Sequence, residues 1–516
     1  MKTNLPFFFD TFTRYKDTDR VVAEFGDELY TYREMWRDMN AVARYVAQWE
    51  DRTPVIVWGD KENRILPCIY GAIAGGHPYV FIPSYYPQNR VVDIVGDCGA
   101  NLVLNPSAVP FPAIDGTTVC EGEAFAALLA GYDGTPLDTD RALTNDDVWV
   151  IIYTSGSTGK PKGVVITGRS IMVRRERFRP DFDRYYTCQG DKPTRALNIT
   201  SYAFSISIDP VFFSVGAHAA TLCSVPITIL RNFPLFFETL LKIDPDYFSI
   251  TPSMFELMLK DERFCEANMP SLRGCTGGGE PFNTQTARLF KERFPHADLR
   301  NVWGSTETCA GPLGVLADDA LLEREGVLPI GYETDRSVCD AVDADGNSLP
   351  DGEVGEMVIA GGFVSDGYLN LPEKNAERFF TNAAGARAYR TGDLICFKGN
   401  YVYYKGRMDN MVKVGGYRVE LEDVENNLRT VDIVATCAVA PVYSGDSVLM
   451  LAAYVVLKPA AQSMSKIAAV KQIKAALSGK VQEYMLPQKI SIVDDLPKNT
   501  SGKLDRVKLK EMSRLQ

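Results

Sequence analysis

Apolar positions along this chain follow two different periods, and the switches between them mark its elements. From Tyr32 to Trp49 apolar residues recur at helical spacing, with Thr31 placed as an N-cap, which predicts a helix. Val55-Ile-Val-Trp58 is a short continuous apolar run and predicts a buried strand. Residues 71–87 run from helix to strand, and packing explains them. Helices and strands alternate through residues 1–147. Val148 to Ile152 and Val164 to Ile166 are β-branched runs on either side of a polar stretch, and predict a strand entering it and a strand leaving it. Alternation resumes through 164–300, with Ile227-Thr-Ile-Leu230 and Tyr247-Phe-Ser-Ile250 predicted as buried parallel strands. Leu421 to Leu428 returns to helical spacing with acidic residues at its start, as a helix dipole favours. The expected fold class is α/β.

Composition narrows the function. A chain of 516 residues exceeds the usual size of one domain. Hydrophobic content of 46% and charged content of 23% suit an ordinary soluble globular protein. A net charge of −11 speaks against a nucleic-acid partner. Eleven scattered cysteines without a CxxC pair predict free thiols in a reducing cytoplasm. The apolar patch before Asp10 is too short for a signal peptide or a membrane span, so no membrane partner is expected. The chain has three histidines, none near another, and His77 is assigned no metal or catalytic role.

The polar stretch between the paired runs carries chemistry. It reads Tyr153-Thr-Ser-Gly-Ser-Thr-Gly-Lys-Pro-Lys-Gly163. Gly156, Gly159 and Gly163 let backbone N–H groups converge on an anion. Thr154, Ser155, Ser157 and Thr158 add hydroxyl donors, and Lys160 and Lys162 add positive charge. Such a loop suits a polyphosphate. It differs from a GxxxxGK[ST] loop, because Pro161 follows Lys160 and removes a backbone donor. The plain alternative is a solvated hairpin turn.

This loop resembles the signature loop of the adenylate-forming enzymes, the ANL superfamily, and the resemblance covers nearly the whole chain. Among its members the chain resembles stand-alone adenylation enzymes of nonribosomal peptide type and D-alanine carrier-protein ligases. The resemblance implies a large N-terminal adenylation domain of mixed sheets and helices, residues 1–408, and a small mobile α+β lid, residues 409–516. It implies ATP and Mg²⁺ as cofactors. Asn301-Val-Trp-Gly-Ser-Thr-Glu307 resembles the adenine and magnesium motif. Asn301, Val302, Trp303, Gly304 and Ser305 would then bind nucleotide, with the Trp303 face available to adenine. Thr306 would donate to phosphate, and Glu307 would be the Mg²⁺ ligand. Gly279, Glu280 and Pro281 join the nucleotide side. Asp393, in Tyr389-Arg-Thr-Gly-Asp-Leu394, would grip the ribose diol, since a carboxylate accepts two hydrogen bonds. Arg407 is implied as a ribose or phosphate contact, and Asp409 as the hinge. In the tail motif Leu496-Pro-Lys-Asn-Thr-Ser-Gly-Lys503, Lys503 matches the catalytic lysine, against the alternative of a solvated tail lysine.

The implied activity is carboxylate activation as acyl-AMP, then transfer to a thiol. The thiol is phosphopantetheine on a separate carrier protein, or else coenzyme A. The pocket would comprise Phe204, Ser205, Asp209, Thr276, Gly277, Gly278, Ala310 and Gly311. Amino-acid-activating relatives carry an aspartate where this chain has Ser205, so an α-ammonium lacks its partner. Asp209, four residues on, is expected to read an amine or hydroxyl set further from the carboxylate, with a turn-capping role as its alternative. The glycines at 277 and 278 are expected to leave a flat slot. Together these point to an amino- or hydroxy-substituted aromatic acid of anthranilate or salicylate type. A β-amino acid is the second choice, and D-alanine fits poorly. The rival outside catalysis is an inactive ligand-binding relative; retention of Lys503, Glu307 and Asp393 argues against it.

Overall fold

The structure is a computed structural model that describes residues 6–135, 138–155, 160–188, 192–324, 326–333, 336–409, 411–445, 447–497 and 504–514. Lys503 and the loop residues Gly156, Ser157, Thr158 and Gly159 lie outside the described residues.

The helix expected after Thr31 spans Tyr32–Val46. Thr31 and Glu34 form a reciprocal capping box, which satisfies two N–H groups that a helix start leaves open. Its apolar stripe, Tyr32, Met35, Met39, Val42 and Val46, is buried. That stripe packs on helix Ile65–Ala74, where Gly71 permits the approach: a Cβ there would lie 2.6 Å from Val42 Cγ1. His77 is 1% exposed, with its ring nitrogens 2.9 and 3.1 Å from the carbonyls of Thr53 and Trp49, so packing accounts for it.

Two sheets form the body of the N-terminal region. In the first, strands Tyr79–Pro83, Val55–Gly59, Leu102–Asn105 and Thr118–Glu121 run parallel. Val148–Thr154 extends this sheet parallel to Tyr79–Pro83, and Lys162–Thr167 returns antiparallel beside it. In the second, strands Thr221–Ser224, Arg195–Asn198, Tyr247–Ile250, Gly274–Gly278 and Asp298–Trp303 run parallel, with Leu313–Leu316 antiparallel at one edge. Strands buried on both faces by helices read as continuous apolar runs, which is why Val55–Gly59 was legible. A third, antiparallel sheet holds Gly355–Ala360, Arg387–Lys398 and Tyr401–Arg407.

One expected strand is corrected. Ile227–Leu230 is a helical turn with none of its residues buried. Pro226 turns the chain at its start, and the Asp60 carboxylate accepts from Ile227 N at 2.8 Å. A four-residue apolar run does not distinguish strand from helix by periodicity.

The chain then builds a separate small sheet from Met411–Val414, Tyr417–Glu420, Val434–Ser444, Ser447–Leu457 and Lys489–Ile492. Helix Leu421–Arg429, acidic in its first turn, packs on it around Val424 and Leu428. The molecule thus has the expected large mixed α/β body followed by a smaller α+β one.

Candidate active site

Five sequence motifs meet where the small C-terminal body rests on the large one. The glycine-rich loop leaves strand Val148–Thr154 and re-enters at Lys162–Thr167, so the register pairs Thr154 with Lys162. Its flank touches the smaller body: Ser155 Oγ donates to the Arg418 carbonyl at 3.1 Å. Lys162 is buried, with Nζ 3.6 Å from Glu420 Oε1 and 5.5 Å above the Tyr368 ring. Burial and the neighbouring Arg418 charge pull its pKa down to about 8, against the opposing pull of Glu420 and Glu307.

The strand Asp298–Trp303 delivers the second motif. Gly304 and Gly311 lie back to back, and a Cβ on Gly304 would stand 1.9 Å from the Ala310 carbonyl oxygen. Gly304, Ala310 and Gly311 therefore close this loop on itself. Thr306, Glu307 and Thr308 form the 3-10 turn within it. Glu307 is 0% exposed. It accepts from the Tyr368 hydroxyl at 2.8 Å, and Arg418 Nη1 lies 2.7 and 3.0 Å from its two oxygens. Burial raises the carboxyl pKa, but the Arg418 and Lys162 charges outweigh it and hold the group at about 2.

Asp393, on strand Arg387–Lys398, is 3% exposed. One of its oxygens accepts from Trp303 Nε1 at 2.8 Å, and the other from Arg407. This corrects the expected role of Trp303 in this arrangement. Its indole is 4% exposed and engaged with Asp393, so it offers no open face for stacking. Tryptophan has an N–H that must be satisfied when buried, and the nearest buried carboxylate satisfies it.

The acid-pocket candidates lie beside these groups. Thr306 Oγ1 donates to Ser205 Oγ at 3.4 Å, joining the pocket motif to the phosphate motif. Phe204 packs on Tyr417 of the smaller body, centroids 5.0 Å apart, and Tyr417 stacks on Tyr484 at 4.3 Å. Thr276 shares a short hydrogen bond with Tyr247. Two pocket expectations are corrected. Asp209 does not present a free carboxylate: buried Arg174 holds it with Nε and Nη2 at 2.9 and 2.7 Å, and also donates to the Gly311 carbonyl. A buried acid takes the nearest cation, and a guanidinium fork matches it bidentately. The glycines do not open a flat slot either. A Cβ at Gly277 would meet Phe282 Cε1 at 2.3 Å, and one at Gly278 would meet Val302 Cγ2 at 2.8 Å, so neighbouring side chains fill that space.

Gly279, with φ +85°, faces the smaller body, where its Cβ would lie 3.3 Å from Gly416 Cα. Glu280 accepts from Ser253 N at 3.1 Å, and Pro281 follows it. Asn301 donates to the Pro329 carbonyl at 2.9 Å, while Val302 packs against Gly278.

Several buried polar atoms around this junction have no partner among the described residues: Thr154 Oγ1, Glu280 Oε1, Asn301 Oδ1 and Arg418 Nε. Buried polar atoms are normally satisfied, so donors and acceptors left over at one junction fit a polar ligand such as ATP. No cluster of three or more His, Cys, Asp or Glu side chains suited to a metal occurs among the described residues. Mg²⁺ needs none, because it binds through one or two carboxylates plus phosphates and water. Glu307 would supply one such carboxylate; here Arg418 engages it.

The sequence reading passed over Arg418 and Arg174. Nothing local marks either arginine as the partner of a carboxylate 111 or 35 residues away.

Comparison with known proteins gives the family. Residues 8–369 match the AMP-binding enzyme family, and residues 423–503 match the AMP-binding enzyme C-terminal domain. D-alanine–D-alanyl carrier protein ligase of Bacillus cereus is 31% identical over 494 residues, covering 95% of this chain and 96% of the relative. The ligase of the same name from Lacticaseibacillus rhamnosus is 32% identical over 491 residues, covering 94% and 95%. Among solved structures, the Vibrio cholerae adenylation domain AlmE, in complex with glycyl-adenosine-5'-phosphate, superposes with a TM-score of 0.79 at 18% identity, covering 99% and 98%. At that identity the likeness concerns the fold. The chain belongs to the AMP-binding family of adenylate-forming ANL enzymes and is an AMP-forming ligase.

Proposed function

We propose that this enzyme activates a small carboxylic acid with ATP and passes the acyl group to a phosphopantetheine thiol on a separate carrier protein. The carrying observation is the hydrogen bond between Thr306 and Ser205, because it brings the phosphate motif and the acid motif to one point. In the first half-reaction the acid's carboxylate oxygen bonds to the α-phosphorus of ATP, and the bond to pyrophosphate breaks. No general base is required, since the carboxylate is ionised at neutral pH. Thr306, the glycine-loop donors, Lys162 and Lys503 meet charge on the phosphoryl oxygens. Mg²⁺, when bound at Glu307, neutralises phosphate charge. Asp393 and Arg407 hold the ribose side. In the second half-reaction the thiol sulfur attacks the acyl carbon, and AMP leaves. The proposed hinge is Asp409, dividing residues 1–408 from 409–516. The carrier is favoured over coenzyme A because the Bacillus and Lacticaseibacillus relatives are named carrier protein ligases. With a net charge of −11, no nucleic-acid partner is proposed. None of the eleven cysteines is in a disulfide, which supports a reducing cytoplasm; no described helix is long and apolar enough to cross a membrane.

The acid is proposed to lack an α-ammonium and to be an amino- or hydroxy-substituted aromatic acid. Ser205 and the Asp209–Arg174 pair, whose carboxylate is already neutralised, support the missing α-ammonium; the aromatic ring is carried by the family resemblance alone, since Phe282 and Val302 fill the space beside Gly277 and Gly278. The second reading is D-alanine, favoured by the 31% identity to D-alanine ligases. Pyrophosphate exchange with anthranilate, hydroxyanthranilate, salicylate, benzoate, β-alanine and D-alanine separates the two. Fastest exchange with D-alanine would overturn the aromatic assignment and leave the ligase assignment standing. No exchange with any acid would count against both.

A further inference from the structure

Glu307 is fully buried, and the proposed reaction gives it a divalent cation in the first step. In this structure another cation has that place. Arg418 Nη1 bridges both carboxylate oxygens, at 2.7 and 3.0 Å. A Mg²⁺ ion bonds oxygen at about 2.0–2.1 Å. On the Arg418 side of this carboxylate, ion and guanidinium would compete for the same oxygens. Oε1 also accepts from the Tyr368 hydroxyl at 2.8 Å, and Lys162 supplies further positive charge to the nest.

Arg418 is also held by its backbone. Its carbonyl accepts from Ser155 Oγ, at the flank of the glycine-rich loop. The preceding turn places Gly416 against Gly279, and a Cβ on Gly416 would stand 2.5 Å from Thr251 Cγ2. The side chain that engages Glu307 and the backbone that approaches the pocket therefore belong to one short strand, Tyr417–Glu420, and the turn just before it.

We propose that Arg418 is a positioning residue that relieves Mg²⁺ at Glu307, so that this lid arrangement and a cation on Glu307 exclude each other. This rests on the two-step reading above. A buried carboxylate stripped of its cation is costly. When the cation departs with pyrophosphate, Glu307 is left in that condition, and Arg418 restores its partner only if the lid carries strand Tyr417–Glu420 into place. Loss of the first product is thereby tied to assembly of the transfer site.

The test is hydrogen–deuterium exchange of the 411–420 segment in the full chain, with EDTA and with Mg²⁺ plus a non-hydrolysable ATP analogue. Wild type is expected to be protected in EDTA and to lose protection with the Mg²⁺ complex. Arg418→Gln is expected to be unprotected in both. The paired Glu307→Gln/Arg418→Gln variant, which leaves no unpartnered charge, is expected to be insensitive to Mg²⁺. Kinetically, the ratio of acyl transfer to adenylate formation should fall by roughly 10²–10³ in Arg418→Gln, the scale of breaking a buried charge pair. Arg418→Lys should recover part of that ratio. Wild-type protection of 411–420 in Arg418→Gln, or an equal fall in both half-reactions, overturns the proposal. Failure of the wild type to exchange pyrophosphate with any acid would instead reject the two-step reading, while the deuterium measurement still judges whether cation and lid compete.

Discussion

Arg407 grips Asp409 with both arms of its fork, Nε 2.6 Å from Oδ1 and Nη2 2.6 Å from Oδ2. Its remaining arm bonds Asp393. The residue expected to clamp ribose and the residue expected to be the hinge thus share one guanidinium, which is largely buried. Lysine cannot reproduce this, because its ammonium lacks the planar fork. Arg407→Lys is expected to raise the KM for ATP and also to slow thioester formation, each by about tenfold, or about 1.4 kcal/mol. Separate measurement of the two half-reactions checks it; a change confined to ATP binding would uncouple clamp from hinge.

Asp409→Pro fixes φ at the proposed hinge between the two bodies. Adenylate formation is expected to survive and thioester formation to fail. Stopped-flow detection of pyrophosphate beside carrier acylation distinguishes the two steps. Normal acylation would move the hinge away from residue 409.

Lys503→Ala is expected to lower adenylate formation by roughly 10²–10³, the scale for removing one group that stabilises a transition-state oxyanion. Pre-formed acyl-AMP should still acylate the carrier. An equal loss in both half-reactions would remove Lys503 from the phosphoryl step.

Lys162 gives a pH dependence. Its pKa is lowered to about 8 by burial and by Arg418. The ammonium is present below that pH and lost as pH rises through it, so kcat/KM for ATP should fall as pH climbs past about 8. For stability the sign is the reverse. The unfolded chain keeps this proton up to the ordinary lysine pKa of 10.5, so this group's contribution to folding rises with pH from about 8 to 10.5. Lys162→Arg should abolish the decline in kcat/KM. A flat profile in the wild type would detach Lys162 from the phosphates.

Asp209→Asn breaks the pair with Arg174, whose side chain is 6% exposed. Removing one partner of a buried ion pair costs about 3–5 kcal/mol, so urea denaturation should reveal a large loss of stability. Because Asp209 is engaged by Arg174, the ranking of acids in pyrophosphate exchange should be retained. A changed ranking with unchanged stability would return Asp209 to the pocket as a substrate reader.

Much of the molecule was legible in one dimension because its signals are local. The Thr31 cap, the stripe from Tyr32 to Val46, the apolar run Val55–Gly59 and the strands around the glycine-rich loop depend on neighbours a few residues away. The order of motifs likewise identified the family before any coordinates. Partnership between distant charges and the filling of space are decided only in three dimensions. Gly278 suggests room until Val302 is seen beside it, and Asp209 suggests a ligand until Arg174 is seen gripping it. Glu307 could be read as an acid suited to a cation, but not as one that Arg418 also claims. The cost of burying an unpaired charge is common to all acids, whereas the residue that relieves it depends on which remote strands the fold brings together.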